Sequence, residues 1–209
     1  MGRRLLKELE TELNKIKNPE LKILTKQILL DCSDFNCDMG ASSSGKYHPE
    51  FDLGPGGLIR HTKTTCRSIE TIMKMWPQYD GTNWDIPYIS MILHDMCKYT
   101  KLNQEHSHQD HPLLMAEKIR SFKPTSQGDW FLDYKELAEN LEKIAQNVET
   151  HMSRWDTDRD ENKIGEKPKN MENAFCAIAD MISSQKYFCA FFNGNDLVDI
   201  NNKDWKINK

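Results

Sequence analysis

The chain has 209 residues, enough for one domain with a full hydrophobic core and no need of covalent staples. Its 32 acidic and 28 basic residues give a formal net charge of −4, which argues against a general nucleic-acid coat and leaves room for a local basic pocket. Nothing resembles a span of 18 or more apolar residues, and the charged start Met1-Gly-Arg-Arg4 is no secretory signal, so a cytoplasmic protein without membrane contact is expected. Six cysteines, Cys32, Cys37, Cys66, Cys97, Cys176 and Cys189, form no Cys-x-x-Cys pair and lie mostly in apolar helical patterns, where reduced thiols act as small core residues.

The elements read as nearly all helix. Leu5, Leu9, Leu13 and Ile16 make one apolar stripe over residues 3–17. Asn18-Pro19 breaks it, and Leu21–Leu30 starts a second helix with Pro19 near its first turn. These two predict a helical hairpin, residues 1–32, leaning on a main body of residues 33–195, with 196–209 as a tail. From Asp31 to Gly57 the periodicity vanishes in favour of Gly, Pro, Ser and Asp, and Lys46, Tyr47 and His48 give this long loop a functional rather than a linker character.

A third helix is predicted from Leu58 to about Trp76, followed by a turn at Pro77–Gly81. Ile86–Leu93 is strongly apolar and reads as a buried helix, with a short strand as the alternative, and it runs directly into His94-Asp95. Tyr99–Asp110 is polar and loop-like. Helices are predicted from His111 through Ile119, over Asp133–His151 and over Asn173–Phe192, with a charged loop at Asp156–Lys169. Neither an internal repeat nor a domain linker is visible.

Four residues stand out against this background: His61 one turn inside its helix, the pair His94-Asp95 at the end of another, and Asp180 among apolar neighbours in the last. Adjacent residues diverge around a helix, but His94 and Asp95 can grip one ion if the helix end points at it. A buried carboxylate such as Asp180 requires a cation, either Arg/Lys or a metal. The set His, His, Asp, Asp suits Mn, Fe, Ni, Co or Zn better than Ca, with Mg admitted, and leaves coordination positions for water and substrate.

In this order the residues resemble the H…HD…D signature of the HD-domain phosphohydrolase superfamily. Gly56-Gly-Leu-Ile-Arg-His-Thr62 resembles its GGLxxHT start, Leu93-His-Asp-Met-Cys-Lys98 its LHDxxK centre and Ala179-Asp-Met-Ile-Ser-Ser-Gln-Lys186 an ADxxxSxK closing helix. His111-Pro-Leu-Leu-Met-Ala-Glu117 is similar to the HPLLGAE element of two-metal members, with Met115 in place of Gly, and Thr150-His-Met-Ser-Arg-Trp155 to the histidine element that follows it. The likeness spans roughly residues 43–190.

The resemblance implies an all-α fold, a single HD-domain helical bundle carrying the N-terminal hairpin. It implies one or two divalent transition-metal ions held by His61, His94, Asp95, His111, His151 and Asp180, with Asp95 bridging. The activity implied is metal-dependent hydrolysis of a nucleotide or related phosphate ester, a small-molecule substrate, by a metal-activated water. Lys98 and Asp95 are then catalytic, and Lys46, His48, Ser184 and Lys186 bind substrate. Arg60, Lys63 and Arg154 read as solvated surface, and Trp155 as packing or as a platform for a base. His106 and His108 compete with His111 as ligands, and His111 is preferred because it heads an apolar helix. A di-iron HD-domain oxygenase and a non-catalytic nucleotide-sensing HD protein are the alternatives.

Overall fold

The first apolar stripe folds as two short helices, Arg3–Glu8 (α1) and Glu10–Asn14 (α2), which meet at Leu9, where the backbone leaves helical geometry (φ −102°, ψ 16°). This is the structure of a computed structural model, which describes residues 2–46, 48–76, 84–102, 104–123, 134–158, 160–187 and 190–198. Asn18 then caps the next helix, Pro19–Leu30 (α3), its side-chain oxygen accepting from the backbone N–H of Glu20 and Leu21, with Pro19 in the first turn where no N–H is missed. Asp34 accepts from the N–H groups of Arg4 and Leu5 and so caps α1 from the far side of the hairpin.

Among the described residues, five further α-helices make the body: Gly57–Lys74 (α4), Asp85–Leu93 (α5), His111–Ser121 (α6), Tyr134–Glu149 (α7) and Met171–Ser183 (α8). The stretch read as either buried helix or strand is helix α5, and every one of its residues is buried, which explains why its sequence is apolar on all sides rather than on one stripe. It packs against α4, α7 and α8, while α6 lies on α7 and α4 on α8. A single continuous core joins Leu5, Leu9, Leu13 and Leu24 of the N-terminal helices to Ile69, Ile89, Ile119, Ile144 and Phe175 of the body.

The last helix is shorter than its apolar run predicts. It ends at Ser183, not Phe192, because the chain tightens through Ser184 and Gln185, and Phe192 belongs to a separate hairpin. Phe192–Asn193 (β1) pairs antiparallel with Asp196–Leu197 (β2) across a two-residue Gly194-Asn195 turn, where Gly194 takes a φ of 61° that other residues resist. Residues 196–198 therefore belong to this hairpin, and residues 199–209 of the expected tail lie outside the described residues, as do Tyr47, Cys189 and the expected turn at Pro77–Gly81. Burial pushes the thiols of Cys32 and Cys37 up to about 12, and Cys66, Cys97 and Cys176 are raised by the same cause, so all five are free thiols that burial holds protonated. No helix among the described residues is long and apolar enough to cross a membrane.

Candidate metal centre

The close approach of a loop to a helix start builds the first part of the site. Gly57 opens α4 with its Cα against the backbone of Asp52, and a side-chain carbon there would fall 2.0 Å from the Asp52 carbonyl oxygen. Absence of that carbon lets the loop lay the buried Asp52 carboxylate onto His61, one turn into α4. Asp52 Oδ2 stands 3.1 Å from His61 Nδ1 and 3.2 Å from His48 Nδ1. On the other side of the ring, His61 Nε2 is 3.0 Å from Asp180 Oδ1 of α8 and 3.8 Å from Asp95 Oδ2. Burial opposes a charge on His61, but Asp52 and Asp180 together raise its pKa to about 10 in the absence of an ion.

Helix α5 ends at Leu93 and the chain turns tightly through His94–Cys97, which brings two adjacent side chains to one point. His94 donates Nδ1–H to the Met91 carbonyl (2.8 Å), so its Nε2 keeps a lone pair, and that buried nitrogen has no hydrogen-bond partner among the described residues. It lies 3.5 Å from Asp95 Oδ2 and 3.8 Å from Asp180 Oδ1. Burial pushes the His94 ring down to about 3. The Asp95 carboxyl would be raised by its burial alone, but Lys98 and then His94 hold it well below the usual range, and Lys98 Nζ sits 2.7 Å from Oδ2.

The remaining two histidines repeat the His94 arrangement. His111 at the head of α6 donates Nδ1–H to the His108 carbonyl (2.7 Å), and His151 just after α7 donates to the Val148 carbonyl (2.6 Å). A carbonyl only accepts, so each Nδ1 carries the proton and each Nε2 faces inward as a lone pair. Those two nitrogens stand 3.3 Å apart, and Asp95 Oδ1 lies 2.9 Å from His111 Nε2 and 3.7 Å from His151 Nε2 without an aligned hydrogen bond.

Lone pairs that face one another in a buried space repel unless a cation lies among them. Two nitrogens each about 2.1 Å from one zinc-sized ion stand about 3.0 Å apart at a right angle and about 3.4 Å apart at the tetrahedral angle, so the His111–His151 spacing suits a shared ion. Buried His/Asp groups that could hold a metal are His61, His94 and Asp180 on one side and His94, Asp95 and His151 on the other, with His48, Asp52 and His61 behind them. The two oxygens of Asp95 point to opposite sides, Oδ2 toward His61 and His94 and Oδ1 toward His111 and His151. Protein-family models, curated proteins and solved structures offer no match to this chain.

All six expected ligands thus converge, whereas the other expected residues do not all follow. His106 is exposed and His108 turns its Nε2 to Thr100, so His111 alone of that histidine-rich stretch enters the cluster. His48 faces Asp52 rather than the ligand space, and Ser184 Oγ lies 3.4 Å from Asp180 Oδ1. Lys46 is exposed in the loop before His48, Lys186 is exposed beyond α8, and Arg154 lies over the ring of half-exposed Trp155.

Of the residues expected at the solvated surface, Lys63 is inside and Arg60 is only partly exposed. Arg60 donates to the carbonyls of Phe51, Leu53 and Pro55 and so staples the loop that carries Asp52, while buried Lys63 reaches Asp196 of the β-hairpin at 3.2 Å. Sequence reasoning missed Asp52 altogether. Its one signal is an acidic residue between Phe51 and Leu53, just before a Gly-Pro-Gly-Gly turn.

Proposed function

We propose that the chain is an HD-domain-type, metal-dependent phosphohydrolase, a helical bundle acting on a nucleotide or related phosphate ester. One observation carries this reading: four histidine nitrogens and two carboxylates face one another in a buried cluster, with the Lys98 ammonium at its edge. His61, His94 and Asp180 would hold one divalent ion and His111 and His151 a second, with Asp95 shared between them. Ions so held would supply Lewis acidity and a water acidified toward neutrality.

The chain's own groups suit phosphate chemistry. Lys98 is held charged: burial opposes its proton, but Asp95 raises its pKa above the ordinary value, which puts a fixed ammonium where phosphoryl charge would develop. The histidines are at most 5 % exposed on their side chains, whereas Asp180 is 17 % and Lys98 11 %, so a substrate would enter from the side of α8 and Lys98. Ser184, beside Asp180 on that open side, and the exposed Lys46 and Lys186 are the proposed further contacts to the substrate.

The decisive experiment combines metal analysis of the purified protein with a phosphate-release screen over mono-, tri- and cyclic nucleotides in added Mn²⁺. Turnover of at least one phosphate ester is expected, with Lys98→Met lowering kcat by about 100-fold through loss of one charge-stabilising donor. Absence of any phosphate release together with iron-dependent O₂ consumption would replace this reading by the di-iron oxygenase.

A further inference from the structure

Resting on the metal-centre reading above, we infer that the two metal seats are unequal: Asp52, held by His48, is a positioning residue that makes the His61 seat the tighter one, filled before the His111–His151 seat. The four ligand histidines differ in what stands behind them. His94, His111 and His151 each donate Nδ1–H to a neutral backbone carbonyl. Only His61, among these four, has a carboxylate at Nδ1, the Asp52 Oδ2 at 3.1 Å. An anionic partner makes the imidazole a stronger donor and fixes its ring, and such partners are worth roughly 10–100-fold in metal affinity.

Asp52 is built for that role. It is fully buried, its backbone carbonyl accepts from Ala41 N–H at 2.9 Å, and the missing side chain of Gly57 seats it against α4. Arg60 binds the carbonyls on either side of it. His48 approaches the same oxygen as His61, and among the described residues Oδ1 meets no hydrogen-bonding group, so the carboxylate is directed at the two histidines.

The distribution of charge points the same way. The His61 seat has Asp180 in contact and Asp52 one ring behind. The His111–His151 seat has Asp95 as its carboxylate, and that group is shared with the first seat and with Lys98 at 2.7 Å. A second ion would also meet the repulsion of the first across Asp95.

The test is titration of the metal-stripped full chain with Co²⁺, followed by calorimetry and by visible absorption, which reports the ligand field of each seat. Two steps are expected. Asp52→Asn should weaken the tighter step by about 10–100-fold and leave the weaker one in place. His111→Ala should remove the weaker step alone, and His48→Gln, which keeps an N–H for Asp52, should leave both near their original values. Circular dichroism checks that each variant folds; should Asp52→Asn fail to fold, His111→Ala still decides, because loss of the tighter step would reverse the order. Equal affinities, or an Asp52→Asn effect spread over both steps, overturn the inference. Two unequal steps without any phosphate-ester turnover would leave it standing and remove the phosphohydrolase; no Co²⁺ binding at all would remove both.

Discussion

His94 and His61 face the same buried space and are driven in opposite directions. Burial lowers His94 to about 3 and lowers His111 and His48 as well, whereas His61, despite its burial, is raised to about 10 by Asp52 and Asp180. In metal-free protein this fixes the sign of the pH dependence. Below the ordinary histidine value of 6.5, the unfolded chain takes up a proton that native His94 refuses, and native His111 and His48, lowered by burial, take up theirs less readily, so stability falls as pH falls. Above 6.5, native His61 keeps a proton that the unfolded chain has lost, so its contribution is complete below 6.5 and disappears as pH rises through about 10. Asp95 and Asp180, both depressed, contribute a constant amount down to the ordinary carboxylate value of 3.8. Urea midpoints in chelator are therefore expected to peak between pH 6.5 and 7 and to be lower at both pH 5 and pH 8.5; a midpoint that climbs steadily to pH 8.5 would contradict a charged His61. At this scale the clustered residues were legible because His61, His94-Asp95 and Asp180 interrupt apolar helical patterns with groups that cannot stay buried alone. Asp52 was not, because a close backbone approach at Gly57, which no periodicity encodes, puts it there.

Among the elements, a buried carboxylate of the body holds the bend of the N-terminal helices. Asp85, the fully buried first residue of α5, accepts the backbone N–H groups of Lys17 at 2.9 Å and Asn18 at 2.6 Å, the two residues at the bend between α2 and α3. Replacement by Ala leaves two N–H groups at a part-buried bend without a partner, and hydrogen bonds to a charged group are worth about 1.5–3 kcal/mol each. Asp85→Ala should destabilise the protein by about 3 kcal/mol, with faster amide exchange across residues 3–30 and an unchanged metal content. Equal exchange rates in variant and parent would show that the hairpin is held without Asp85. Asp85 also marks how far patterning reaches: the apolar run behind it specified a buried element, and its all-round burial as α5 follows from that run. The end of α8 was misread because Ala190-Phe-Phe192 continues an apolar pattern by composition, while the Gly194-Asn195 pair that turns the chain back is a two-residue signal set against a long run.

For the whole molecule, the cluster is where distant parts of the chain meet: α4 brings His61, the turn after α5 His94 and Asp95, the head of α6 His111, the end of α7 His151 and α8 Asp180. An ion bound there can exist only in the folded chain, so its binding energy is folding energy. At a free concentration 100 times the dissociation constant this amounts to about 2.7 kcal/mol. A chain of this size shifts by about 2–4 °C for each kcal/mol, so Mn²⁺ or Co²⁺ should raise Tm by roughly 5–10 °C over chelator-treated protein. Because the core runs unbroken from Leu5 to Phe175, the N-terminal helices should melt with the body in one calorimetric transition that moves as a whole. Asp180→Asn, which removes a carboxylate from the cluster at nearly constant volume, should lose most of the shift, since the remaining donors of the His61 seat are neutral apart from the shared Asp95. A shift undiminished in that variant would place the ion elsewhere. Two transitions, only one of them responsive to metal, would mean that the continuous core does not couple residues 3–30 to the site, and the destabilisation expected for Asp85→Ala would then appear in the unresponsive transition alone.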